Sequence, residues 1–290
     1  MSFTSSTDVP LYWCSHGRPG GEKLLILHGG PGADHGYLLP QMLRLAESPD
    51  GRERELLLYD QRGGGRSRSD DPAREGTVTW ETHVRDLERV ITELQVSPLI
   101  LVGYSWGGLL ALLYAREVAA GRASPPPHRL VLIDPAPATR ALRLAFEAEF
   151  ARRQSGPAVQ ALRDELAASG LRERDPEAYR HRSFELSVAG YFADPRMARD
   201  LTPFRVVARV QQSVWQSLGD FDLLEDRGLR GLRVPTLVIH GRQDPIPLAS
   251  SEGIARALGG RLVVLDACGH VPYVEQPDAL FAAIEQFLHS

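Results

Sequence analysis

Cysteine is nearly absent from this 290-residue chain, with Cys14 and Cys268 the only two. Far apart in sequence, they supply neither a disulfide framework nor a metal-binding spacing, and a reducing cytoplasm is the expected compartment. An excess of one charge is also missing. The chain carries 33 basic and 37 acidic residues, a net charge of −4, with no long run of either sign. That argues against a nucleic-acid partner, whose usual footprint is a basic patch. No apolar stretch is long enough to span a bilayer, so no membrane association is expected. Met1 to Asp8 has neither the basic start nor the apolar core of a secretion signal. No cofactor and no metal are expected.

What is present is a rhythm. Leu24–Leu27, Glu55–Tyr59, Leu99–Val102 and Leu130–Ile133 are short, almost continuous apolar runs. Such runs suit strands of a parallel sheet covered on both faces. Between them, Val84, Leu87, Val90, Ile91 and Leu94 recur at helical spacing over Glu81–Leu94. Strand–helix alternation predicts an α/β fold with a doubly wound, mostly parallel sheet. From about Thr139 the strands stop, and Ala141–Gln154 and Ala158–Ser169 read as helices punctuated by Gly-Pro and Asp-Pro pairs. Strands resume at Thr236–His240 and Arg261–Leu265, and Pro277–Leu288 is an amphipathic helix. The expected organisation is a core of residues 1–138 and 229–290 interrupted by a helical insertion over 139–228.

Gly103-Tyr104-Ser105-Trp106-Gly107 joins one buried run to the helix-forming segment Leu109–Arg116. Glycines flanking a serine permit the close strand–helix crossing that lifts a nucleophilic hydroxyl above a sheet. A serine hydroxyl needs a base, and the base needs a carboxylate to orient it. Asp244 and His270 follow the last two strands in the required order, each in a loop where such sheets carry their sites. Asp134, after an earlier strand, is the rival acid, but it runs directly through Pro135 into the insertion. The oxyanion that forms during acyl transfer needs backbone donors, for which the N–H groups of Trp106 and Gly30 are the candidates. An ordinary imidazole at His270 predicts loss of activity below about pH 6 to 7. His240 reads as a satisfied core histidine, and Asp60–Ser67 as a structural turn, because it lacks the ending of a phosphate loop.

His28-Gly29-Gly30-Pro31-Gly32, Asp60-Gln61-Arg62-Gly63-Gly64-Gly65-Arg66-Ser67, Gly103–Gly108, Gly241-Arg242-Gln243-Asp244 and Gly269-His270 together resemble the prolyl aminopeptidase (proline iminopeptidase) branch of the α/β hydrolases. The resemblance covers roughly residues 20–135 and 232–288. It implies an α/β-hydrolase fold with Ser105, Asp244 and His270 as a triad and Gly30 and Trp106 as oxyanion donors. The insertion becomes a helical cap, and His28, Gly29, Tyr104 and Trp215 become candidate substrate contacts. The implied activity is release of an N-terminal residue from short peptides.

That activity requires carboxylates to meet a substrate ammonium, since a buried cation is costly alone. Asp244 is followed by Pro245 rather than an acid, which leaves Glu185, Asp194, Asp220, Asp222 and Glu225 as candidates. Two alternatives stay open. One is an esterase, lactonase or amidase with an apolar pocket built from Trp215, Phe192, Tyr191 and Phe221. The other is a non-catalytic ligand-binding module of the same fold.

Overall fold

The computed structural model describes residues 2–47, 51–69, 71 and 76–289. Eight strands form one sheet: β1 (Ser2–Phe3), β2 (Tyr12–Gly17), β3 (Glu22–Leu27), β4 (Arg54–Tyr59), β5 (Ile100–Tyr104), β6 (Arg129–Ile133), β7 (Thr236–Gly241) and β8 (Arg261–Leu265). Their spatial order is β1-β2-β4-β3-β5-β6-β7-β8. The six apolar runs of the sequence are the six parallel strands from β4 to β8 in that order. β1 and β2 extend the sheet antiparallel at one edge, beyond the strands the sequence pattern predicts. β2 mixes apolar and polar residues and buries only Tyr12 and Cys14, so it carries no continuous hydrophobic signal.

Alternation along the strands divides the core. Leu25, Leu27, Leu101, Leu130 and Leu132 face one hydrophobic cluster, while Leu24, Ile26, Val102, Val131 and Ile133 face the other. Helices α1 (Trp80–Glu93) and α2 (Trp106–Ala119) cover the first face. Thr79 starts α1 with a reciprocal capping box to Thr82, which satisfies donors the helix end would otherwise leave open. α2 buries every residue from Trp106 to Ala115.

Between β6 and β7 the described residues form helices and no sheet strand. These include α3 (Arg140–Gln154), α4 (Pro157–Ala168), α5 (Pro176–Val188) and α6 (Ala208–Leu218). The two ends of this segment are tied together. Thr139 bridges Asp222, Arg140 N–H donates to the Phe221 carbonyl, and Leu223 N–H donates to the Ala138 carbonyl. The chain therefore leaves and rejoins the sheet at one point, above the ends of β6 and β7. After β7, α7 (Leu248–Leu258) continues the first face and α8 (Pro277–Leu288) the second. No helix among the described residues is long and apolar enough to cross a membrane.

Candidate active site

Ser105 sits between β5 and α2 with φ +51° and ψ −117°, a conformation L-residues rarely adopt. Neighbours hold it there. Its N–H donates to the Ile133 carbonyl of β6 at 2.9 Å, and its carbonyl accepts from Gly108, Leu109 and Ala136 N–H. The flanking glycines are required by contact: a Cβ at Gly107 would stand 2.1 Å from the Leu27 carbonyl oxygen, and one at Gly103 2.5 Å from that of Gly107. The hydroxyl is thus fixed at the C-terminal ends of the strands.

His270 Nε2 lies 3.0 Å from Ser105 Oγ, and His270 Nδ1 lies 2.8 Å from Asp244 Oδ2. The three side chains form one hydrogen-bonded chain in the expected order. Asp244, not Asp134, is the carboxylate on the imidazole. Asp134 Oδ1 instead accepts from Gly241 N–H at 2.8 Å. Burial and the neighbouring Asp244 charge hold the Asp134 carboxyl well above the ordinary range. Burial also raises Asp244, against hydrogen bonds from Asp134 and Ile246 N–H that favour its anion. His270 is 5 % exposed, and burial pushes its imidazole down to about 4. Such a ring stays neutral to lower pH than the solvated imidazole that the sequence expectation assumed.

Asp134, His240 and Asp244 also bring three potential metal-ligand atoms within 4.8 Å of one another. His240 and Asp244 are committed to protein partners, whereas Asp134 Oδ2 is buried with no hydrogen-bond partner among the described residues. His240 Nδ1 accepts from Ser251 Oγ at 2.9 Å and its Nε2 donates to the Ile246 carbonyl, as befits a satisfied core histidine.

Gly30 and Trp106 both face the cavity in front of Ser105. A network joins the two loops that carry them. Trp106 Nε1 donates to Gln61 Oε1 at 2.7 Å, Gln61 Nε2 donates to the His28 carbonyl at 2.9 Å, and His28 Nε2 accepts from Gln61 N–H. His28 is fully buried within that network and does not line the cavity, contrary to expectation. Gly29 is likewise not a lining residue. Its N–H is spent on Tyr37 Oη at 2.8 Å, and a Cβ there would press on the Ser105 Cβ. Asp60–Ser67 is the structural turn expected, with Arg62 forked onto Asp86 at 2.6 and 2.8 Å.

The cavity holds about 180 Å³ and is lined by Tyr104 and Trp215, together with Phe146, Tyr191, Phe204 and Tyr273. No Asp or Glu lines it among the described residues. Glu185 is buried but paired with Arg182 and His181, and the other four acidic candidates lie elsewhere. Phe192 is buried in the core and Phe221 packs at its edge, so neither contributes to the wall. Tyr191 stacks on the His270 ring with centroids 5.1 Å apart, and its carbonyl accepts the His270 N–H. Sequence reasoning missed Glu275, whose carboxylate accepts from Gly269, Val271 and Ala193 N–H. It ties the His270 loop to the inserted segment.

A family model described as the alpha/beta hydrolase family matches residues 24–284. Relatives include a proline iminopeptidase of Lactobacillus delbrueckii subsp. lactis, 27 % identical over 87 % of this chain and 85 % of that protein. One from Neisseria meningitidis serogroup B is 28 % identical over 96 % of this chain and 92 % of its own. Among solved structures, a proline iminopeptidase-related protein of Thermus thermophilus superposes with a TM-score of 0.72 at 21 % identity, covering 99 % of this chain and 96 % of its own. The enol-lactonase of Burkholderia xenovorans gives 0.66 at 21 % identity, covering 99 % and 100 %. At these identities the structural likeness concerns the fold.

Proposed function

The chain belongs to the alpha/beta hydrolase family, and on that basis we propose that it is a serine hydrolase that cleaves an acyl bond through an acyl-serine intermediate. The observation that carries this reading is the continuous Ser105–His270–Asp244 hydrogen-bonded chain at 3.0 and 2.8 Å. His270 Nε2 takes the Ser105 proton as Oγ attacks the substrate carbonyl carbon. Asp244 holds Nδ1–H and stabilises the imidazolium that forms. The N–H groups of Gly30 and Trp106 receive the oxyanion, each worth about 3 kcal/mol of transition-state stabilisation. His270 then gives its proton to the leaving group, and water deacylates Ser105 by the reverse sequence. The helical segment over 139–228 serves as a cap, since Phe146, Tyr191, Phe204 and Trp215 wall the cavity from above.

The acid-free cavity favours a small, uncharged acyl group, as in an ester, a lactone or a neutral amide. A second reading is aminopeptidase action on short peptides, favoured by likeness to proteins named proline iminopeptidase. Intact-mass analysis after a fluorophosphonate probe tests the common chemistry. We expect one adduct on Ser105 and none on Ser105→Ala, with turnover abolished and the fold retained. Folded protein that stays unlabelled sinks the proposal and leaves a ligand-binding module.

A further inference from the structure

Three side chains at the antiparallel edge of the sheet repeat the pattern of contacts found at Ser105. Cys14 Sγ, on β2, lies 3.3 Å from His35 Nε2, in the loop after β3. His35 Nδ1 lies 2.6 Å from Asp60 Oδ1, at the end of β4. Asp60 is itself fixed, for Oδ1 also accepts the His35 N–H and Oδ2 accepts the Arg66 N–H. The His35 ring stacks on Tyr12 with centroids 5.7 Å apart, which sets its plane. Burial alone would lower this imidazole, but the hydrogen bonds to Asp60 and Cys14 outweigh it and hold the ring at about 9. At neutral pH the ring therefore keeps its second proton and faces the sulfur as a charged donor. A cavity of about 390 Å³ opens onto the group, lined also by His16, Asp34 and Arg66. The acyl chemistry at Ser105 uses none of these residues.

We propose that Cys14, His35 and Asp60 form a second nucleophilic relay and that Cys14 is a modification site for small, uncharged, soft electrophiles. The sulfur attacks the electrophilic carbon with the His35 Nε2–H donating toward it. With iodoacetamide the S–C bond forms, the C–I bond breaks, iodide departs with the bonding pair, and the thiol proton is lost to solvent. Small size is required because Cys14 is only 2 % exposed and is reached through the cavity. Lack of charge is favoured because both acidic and basic groups line the approach.

Cys268 is the internal comparison. It is fully buried, its Sγ–H donates to the Gly269 carbonyl, and burial and nearby carboxylates raise its thiol far above the usual range. The folded full chain is treated with iodoacetamide at neutral pH, quenched at intervals and mapped by peptide mass spectrometry. Cys14 is expected to alkylate at least about tenfold faster than Cys268, a preference that vanishes in guanidinium. His35→Gln, checked for folding by circular dichroism, is expected to slow Cys14 at least about fivefold. Equal labelling of the two cysteines in the folded wild type overturns the proposal, as does an unchanged Cys14 rate in folded His35→Gln. Should that variant not fold, the wild-type ratio decides alone.

Discussion

In the proposed reaction His270 takes a proton from Ser105 while sitting where a cation is poorly solvated. Its neighbours are the rings of Tyr104 and Tyr191, the Asp244–Asp134 pair and the Glu275 carboxylate. Burial outweighs the carboxylates and lowers the imidazole to about 4. The base works only when neutral, so kcat/KM falls as pH drops through that value. A lowered pKa moves the fall to lower pH. We expect the acid limb for an activated ester to lie below about pH 5, against the roughly 6.5 of a free imidazole. Rates from pH 4 to 8, with circular dichroism to verify folding at the acid end, check this. A limb centred between pH 6 and 7 means the ring is solvated during turnover. Ser105, Asp244 and His270 are legible at this scale because each follows a recognisable strand. Gln61 and Glu275 are not, since their partners Trp106 and Ala193 stand 45 and 82 residues away. His28 and Gly29 mislead because a glycine-rich loop announces close approach without saying which atoms face the ligand.

At the scale of elements, the crossing of β3 and α2 is a tight constraint on the site. A Cβ on Gly107 meets the carbonyl oxygens of Leu27 at 2.1 Å and of His28 at 2.8 Å. Neither atom is the end of a flexible side chain, so the helix itself has to move. Gly107→Ala is expected to cost about 3 kcal/mol or more, visible as a melting temperature lowered by at least about 5 °C, or as failure to fold. Gly231→Ala is the control. Nothing lies within 4 Å of its would-be Cβ and its φ is not positive, so stability should hold or rise slightly. Equal melting of Gly107→Ala and wild type contradicts the close crossing. The same buried geometry explains which elements are readable. Strands β3 to β7 are largely buried and apolar almost throughout, whereas β2, one strand in from the antiparallel edge, shows only two buried residues.

At the scale of the whole molecule, substrate choice depends on how the inserted helices meet the sheet. That meeting is illegible in the sequence, because helical spacing identifies helices without fixing which side chains converge on Ser105. Apart from Gln211, the residues converging on the catalytic group are mostly aromatic and aliphatic, and an ion pair stands behind them: the Arg143 guanidinium, paired with Glu147, lies 4.3 Å from the centroid of the Trp215 ring. A substrate ammonium entering there is desolvated with no carboxylate lining the cavity, because the Glu147 carboxylate beyond the tryptophan is already paired with Arg143 at 2.9 Å. Leaving such a charge unpaired costs at least about 3 kcal/mol, or roughly 100-fold in kcat/KM. Two arylamides with the same leaving group isolate this effect. One carries a free prolyl amine and the other an N-acetylated proline, so the scissile bond is shared and the charge is not. We expect the acetylated compound to be turned over faster, and a short acyl ester of a comparable aryl leaving group faster still. Preference for the free amine would reject the neutral-acyl reading and favour the aminopeptidase, with a carboxylate carried to the site by movement of the helices between β6 and β7.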